Sequence, residues 1–422
     1  MWNFFSEVRV RQLSLGWGIL IIVGLFLSFS IRVLPSIGVA GLFLTSVGYA
    51  IGHKRIVQRA HWPWLLSLTL IYLLHVATGL MHSSFAQEEL RRDLVLQLPF
   101  LLLPVSFLLL PTWHESDRNT LWLVLIGCCL LSALGATINY LLNQEAINRI
   151  YLESRVMPTI PDHIRFSLLI SMAVLVGAVL VVDKSLPGWM RRATAVGVIL
   201  LFIFQHLLAV RSGLVTMYAG GVLWLVWLGW QQKNWKAMLV TATLMVAVAG
   251  ACLQLFPTLQ NKITNTQDDA DRLSSVDAAN NYSVTARVYS YKVAWVVIRA
   301  HPLLGVSKVK MDDEMAAQYR YMYPQIASAH YLMPHNQFIY NMVAYGLIGL
   351  VIFLVSFYYP LWHGLRTRNI VLVLLYVVVS ISFLVEYTLE THIGILIGIF
   401  FLLLASIPTV PTLAASQPRP RA

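Results

Sequence analysis

Residues 331–341 read YLMPHNQFIYN and run directly into MVAYGLIGLVIFLVSF, a stretch apolar enough to enter a bilayer. Pro334 suits the first turn of a helix, because the N–H it lacks has no intrahelical partner there. His335 and Asn336 then fall in the N-terminal turn of that helix. The positive end of the helix dipole and its free N–H groups attract anions. The same field favours the neutral, proton-accepting imidazole. A neutral histidine beside an anion site is equipped to act as a base; a quiet interfacial histidine is the alternative. Arginine supplies the other half of such chemistry, since guanidinium grips phosphate oxygens in pairs and keeps its charge. Arg211 opens one apolar run, Arg287 lies on a helical pattern one turn before Tyr291, and Arg155 and Arg165 both lie in the loop that precedes a further run. For Arg155 and Arg165, snorkelling to lipid headgroups is the competing reading. His301 precedes Pro302 and suits a turn-holding role. Glu386 and Glu390 sit between the last two apolar runs, where spacing alone assigns them no partner. Asp268, Asp269 and Asp271 form an acidic run with no fixed geometry, which reads as a solvated loop, so no metal site is expected.

The elements that hold these residues are membrane helices. Hydrophobic residues are 58% of the 422 and charged residues 12%, against roughly 45–50% and about 25% in soluble domains. Such a chain cannot bury its apolar surface in its own core, so lipid must cover part of it. The net charge of +11 points to the positive-inside rule before it points to nucleic acid, and no nucleic-acid partner is expected. Cys128 and Cys129 are adjacent and Cys252 lies in a separate apolar run, so no disulfide is expected. No cofactor motif is present.

A span needs about 20 apolar residues. Twelve stretches qualify, approximately 13–31, 35–52, 62–81, 94–111, 120–142, 166–182, 193–209, 213–230, 237–255, 336–357, 370–386 and 391–409. The second, fourth, sixth and seventh are short or interrupted. The expected fold is an all-α polytopic membrane protein in three parts: helices 1–9 over 1–255, a long external segment over 256–335, and helices 10–12 with a short tail over 336–422. The first run lacks a cleavage site and reads as a retained span. With both termini cytoplasmic, fifteen of the 30 Lys and Arg lie inside and seven lie in short outer loops. The seven are Arg32, Arg91, Arg92, Arg149, Arg155, Arg165 and Arg211. Arginines kept on the wrong side of the rule are candidates for holding an anion. In the long segment, residues 261–283 are polar and read as an exposed loop. Val284, Val288, Tyr291, Trp295 and Ile298 then form one apolar stripe on a helix that ends before Pro302.

Three stretches, AVRSGLVTMY (209–218), ARVYSYKVAWVVIRAHPLLGV (286–306) and PHNQFIYNMVAYGLIGLVIF (334–353), together resemble the O-antigen ligase and polymerase family. They occur in the family's order over about 160 residues; the first 190 match only in hydropathy. The resemblance implies a GT-C-type membrane glycosyltransferase acting on the periplasmic face of the bacterial inner membrane. It implies an undecaprenyl-pyrophosphate-linked glycan as donor and, for a ligase, a sugar hydroxyl of lipid A-core as acceptor. Arg211 and Arg287 match the family's arginines and His335 its histidine, so diphosphate binding and general base catalysis are the implied roles, in a metal-independent, inverting displacement. His301 matches a further family position. Tyr291, His301, Asn336, Arg155 and Arg165 complete the candidate substrate contacts. Polymerase and protein O-oligosaccharyltransferase activities belong to the same family, and the absence of a further soluble domain favours the ligase. A lipid-linked glycan flippase is the reading from a different class; it would want charge along its spans, whereas 336–409 is nearly free of it.

Overall fold

The computed structural model describes residues 6–53, 62–153, 155–183 and 185–410. Lys54, Arg55, Arg59, Lys184, Arg419 and Arg421, all assigned to the cytoplasmic side by the charge count, lie outside them. The chain begins with α1 (Glu7–Leu27), α2 (Leu34–His53), α3 (Trp62–Leu66), α4 (Thr69–His82), α5 (Glu88–Gln97) and α6 (Pro99–Leu109). It continues through α7 (Glu115–Leu142), α8 (Gln144–Leu152), α9 (His163–Val182), α10 (Gly188–Leu208), α11 (Arg211–Trp230) and α12 (Trp235–Leu255). The remainder is α13 (Pro257–Asp271), α14 (Ser283–Ala300), α15 (Lys308–Met322), α16 (Gln337–Arg366), α17 (Ile370–Val385) and α18 (His392–Ser406). Two short strands, β1 (Trp113–His114) and β2 (Thr409–Val410), pair in parallel. The three cysteines are free thiols.

Among the described residues, ten helical segments are long and apolar enough to cross a bilayer, with α3–α4 and α5–α6 each forming one. The apolar helices α17 and α18, of 16 and 15 residues, are shorter. At 1.5 Å per residue they reach only about 22–24 Å, less than a hydrocarbon core of about 30 Å. Their surroundings explain why this is tolerated. Every residue of α18 from Gly394 to Ser406 is buried, so protein rather than lipid meets its backbone ends. By contrast, Cys252 is the only residue of α12 that is buried, and that helix faces outward along nearly its whole length. Of the four runs flagged as interrupted, only the fourth is broken, where α5 gives way to α6 at Pro99; the second, sixth and seventh are continuous helices. The third run also divides, into α3 and α4.

The long segment departs from expectation in two places. Residues 261–271 belong to α13 and are not loop. The helix was hidden because its buried face is polar: Thr258, Lys262, Asn265 and Asp269 recur at helical spacing, and all four are buried. Of the stripe on α14, only Ile298 joins the packed face. Ala286, Tyr289, Val293 and Val297 are buried against Met311 and Met315 of α15 and Val343 and Ala344 of α16. Val284, Val288 and Tyr291 line a cavity instead, and Trp295 is 53% exposed.

The turn after α14 docks on α16 through backbone alone. Gly346 breaks the tenth span with φ 63° and ψ −167°, a conformation open essentially to glycine. The N–H groups of Leu347 and Ile348 donate to the carbonyls of Pro302 and Leu303, and those of Val306 and Ser307 donate to Val343 and Ala344. Gly305, at φ 67°, completes the approach. A Cβ at Gly346 would lie 2.3 Å from the Leu303 carbonyl carbon, and one at Gly305 would lie 2.5 Å from that of Ala344. This pins the external helices α14 and α15 to a membrane helix at a fixed register. Gly346→Ala is expected to cost at least about 1–3 kcal/mol from backbone strain, read as a lower unfolding midpoint in detergent. Gly16→Ala, where a Cβ meets nothing within 4 Å, should leave the midpoint unchanged.

Candidate active site

A cavity of about 400 Å³ lies where the first turns of α9 and α11, the last residue of α17 and the external helices α13 and α14 meet. Arg211, Lys262 and Arg287 line it together with Tyr291 and Glu386. Arg211 is the first residue of α11, and its guanidinium donates to Thr266 Oγ1 at 3.2 Å and Ser283 Oγ at 3.4 Å. Arg287 enters from α14 and Lys262 from the polar face of α13. Among the described residues none of the three makes an ion pair within 4 Å.

Two carboxylates are close enough to neutralise them, and both are engaged elsewhere. Asp269, fully buried, accepts from the Val284 and Thr285 N–H groups at 2.8 and 3.1 Å and from the Thr285 hydroxyl at 2.9 Å. It therefore caps α14 from a neighbouring helix, in place of Tyr282, which makes no side-chain cap. Glu386 accepts from the ring of His335, whose Nδ1 lies 3.2 Å from Oε2. The consequence is felt by Lys262. Burial pushes its ammonium down to about 8, with repulsion from Arg211 and Arg287 adding to the effect and Asp269 opposing it. A cationic cavity whose acids are already committed is set up for an anion from outside.

His335 is fixed on three sides. Glu386 orients its ring, the Tyr387 ring packs with its centroid 5.0 Å away, and its carbonyl accepts from the Tyr291 hydroxyl at 2.9 Å. Tyr291 follows Arg287 by one helical turn, so the same helix that brings the arginine to the cavity anchors the histidine. Burial alone raises the Glu386 carboxyl, but the His335 bond and the charges of His335, Arg165 and Arg287 outweigh it and hold the group below its ordinary value. Glu386 is thus a carboxylate placed to accept the Nδ1–H and so to orient the ring.

The helix start differs by one position from expectation. Asn336 is the cap of α16, accepting from the N–H groups of Phe338 and Ile339, and its amide donates to the Leu384 carbonyl. Its side chain is occupied in holding the helix. Pro334 and His335, expected in the first turn, precede the cap instead, because the Asn336 side chain satisfies the free N–H groups of Phe338 and Ile339 and sets the helix start there.

A buried network secures the other end of this turn. The Lys308 ammonium lies 2.5 Å from Asp93 Oδ1 and 2.6 Å from Glu390 Oε2. Gln337 donates to Glu390 at 3.1 Å and accepts from the Leu389 N–H at 2.9 Å. Asp93 also meets His75 at 2.8 Å. Burial lowers the Lys308 ammonium's affinity for its proton, but Glu390 and Asp93 more than offset this and raise it. Glu390 therefore serves α15 and α16, while Glu386 serves His335.

Not every candidate joins the cavity. Arg165 pairs at 3.0 Å with Asp162, the cap of its own helix, and reaches the site through its charge, which acts on Glu386, His163 and Tyr387. Arg155 is exposed, one residue before the cavity-lining Val156. His301 is exposed at the far end of α14, about 21 Å along the helix from Arg287. Its carbonyl accepts from the Gly305 N–H, which keeps the turn. Lys262 and His163, both lining the cavity, were not singled out from the sequence. For Lys262 the signal was present in the polar helical spacing 258, 262, 265, 269.

No curated protein matches the chain. Residues 196–354, over a third of the chain, match the family model described as O-antigen ligase. The matched stretch contains Arg211, Lys262, Arg287, Tyr291 and His335, and it stops short of Glu386. This part of the chain is therefore similar to the O-antigen ligase family, and the similar stretch comprises the cationic helices and the histidine.

Proposed function

We propose that the protein is a GT-C-type glycosyltransferase of the bacterial inner membrane. It transfers a glycan from undecaprenyl pyrophosphate to a sugar hydroxyl of lipid A-core at the periplasmic face. The observation that carries this reading is the cavity holding Arg211, Arg287 and Lys262 with no ion-paired carboxylate among the described residues, next to a histidine whose ring is already oriented. A lipid diphosphate is the anion that suits both the charge and the membrane setting. In the reaction, His335 Nε2 takes the proton of the acceptor hydroxyl. The freed oxygen attacks the anomeric carbon, the bond from that carbon to the diphosphate oxygen breaks, and the lipid diphosphate leaves as an anion held by the three cations. Glu386 stabilises the imidazolium that forms. A single displacement inverts the anomeric carbon. Charge builds on the departing diphosphate, so cations fixed in a poorly hydrated site act most strongly in the transition state. They supply the neutralisation that a divalent ion provides elsewhere, and chelators should leave the rate unchanged.

Purified protein given only donor and acceptor in detergent should form the joined product, seen as a shift in lipopolysaccharide mobility. His335→Ala should lower kcat by about 10²–10⁴-fold, the range for loss of a general base. Arg287→Ala should cost about 10–100-fold in kcat/KM, from loss of a charge-assisted bond of roughly 1.5–3 kcal/mol. Arg287→Lys should rescue it incompletely, because an ammonium lacks the paired donors. Wild-type protein that moves lipid-linked glycan across vesicles but joins nothing would establish the flippase instead.

Lys262 adds a pH dependence with a definite sign. Its ammonium is charged below about 8 and holds the diphosphate only in that form. Donor KM should therefore rise as pH climbs through about 8, and bound diphosphate should move the rise to higher pH. Lys262→Arg should remove the alkaline rise; a rise that persists in the variant assigns it to another group.

A further inference from the structure

A second basic cavity lies beyond the turn that follows Glu386. It encloses about 860 Å³ between the α1–α2 connection, the first turns of α5 and the start of α18, and Arg32, Arg91 and Arg92 line it against a single carboxylate, Glu88. These are three of the seven arginines that oppose the positive-inside rule. The Arg92–Glu88 pair is 76% and 60% exposed, so it contributes little and yields readily to a competing anion. Arg91 uses Nη1 to reach the Phe85 and Ala86 carbonyls at 2.9 and 2.7 Å. Arg32 has no ion-pair partner among the described residues. His392, also in the lining, meets Ser36 Oγ at 3.0 Å.

The rim indicates where an occupant comes from. Phe29, Ile31 and Val33 surround Arg32 in sequence and are 79%, 47% and 55% exposed. Apolar side chains so placed at the end of membrane helices belong in lipid, so the cavity opens to the bilayer interface rather than to bulk water. Arginines select phosphate, and Val95, Leu96 and Ile393 give the cavity an apolar wall. The two cavities are joined by one short stretch of chain. Glu386, which orients His335, lines the first, and His392 lines the second.

We infer that this second cavity receives the phosphate-bearing sugar headgroup of the acceptor lipid, which brings its hydroxyl to His335 while the donor diphosphate occupies the first cavity. The inference rests on the transferase reading above and assigns its acceptor side. One enzyme thus holds two anionic lipids in separate basic cavities, and the turn that joins them carries Glu386, the residue that orients the base.

The test compares wild type with an Arg32→Ala, Arg91→Ala double variant, using a phosphorylated glycolipid acceptor and the same lipid after phosphatase treatment. The double variant should raise acceptor KM about tenfold or more, the loss expected when charge-assisted bonds to phosphate are removed. Donor KM and kcat should change by less than about twofold, within the scatter of such effects. Wild type given the dephosphorylated lipid should show the same raised KM, and an Arg32→Lys, Arg91→Lys variant should recover most of the affinity. Equal KM for the two lipids, or a rise in donor KM instead, overturns the assignment. So does displacement of bound acceptor by phosphatidylglycerol at equal concentration, which would make the cavity a general headgroup site. Active wild type with an unaffected double variant sinks the acceptor cavity alone, whereas wild type that transfers to no acceptor sinks the transferase reading beneath it.

Discussion

Two guanidiniums and an ammonium in one half-buried cavity repel one another, and burial strips each of the water that would soften the repulsion. The fold relieves this only in part, through the charge of Asp269 and with no ion pair to the three cations among the described residues. Asp269 is close enough to act on Lys262 and Arg211, yet its oxygens are bonded to the first turn of α14. Glu386 faces the cavity but holds the His335 ring. The unfavourable charge is thus a standing cost carried by the surrounding structure, and an arriving dianion removes it. In the proposed transferase, charge stored in this way would give both affinity and, as negative charge grows on the leaving group, catalysis.

What carries that cost is a set of rigid junctions. Asp269 ties α13 to α14 and so fixes Lys262 relative to Arg287. Tyr291 ties α14 to the His335 carbonyl. The backbone contact between residues 302–307 and the Gly346 break locks the whole external segment onto α16. Lys308, Asp93 and Glu390 bind α15 to the turn that carries Glu386. The first junction joins two external helices and the others join the external segment to the membrane helices, so the cations from 211, 262 and 287 are held near a histidine far away in sequence. The invariant requirement at Gly305 and Gly346 is close backbone approach, which explains why the H-P-x-x-G stretch is structural here and why His301 lies away from the cavity.

Much of this was legible in the sequence. Apolar run length located the spans but not their ends, which shift by up to nine residues, as where α16 runs on to Arg366 beyond the expected 357. Arg211, Arg287 and His335 stood out by chemistry and by resemblance. What was not legible depended on partners from other helices. The α13 helix presents polar residues to a polar cavity, which inverts the usual sign of amphipathicity, so a search for apolar spacing read it as loop. The two carboxylates near the turn at 386–390 could be told apart only once Lys308 and His335 were in place. The Val284–Val288–Tyr291 stripe was seen correctly as one face of α14, but only packing reveals that it lines a cavity while Tyr289 and Val293 face the core.

The most direct test is a cryo-electron microscopy structure of the protein with a lipid-linked diphosphate sugar bound. The account predicts diphosphate density between the side chains of Arg211, Lys262 and Arg287, with the anomeric carbon on the side toward His335. A diphosphate bound elsewhere, with the three cations still facing an empty cavity and the histidine remote from the sugar, would contradict it.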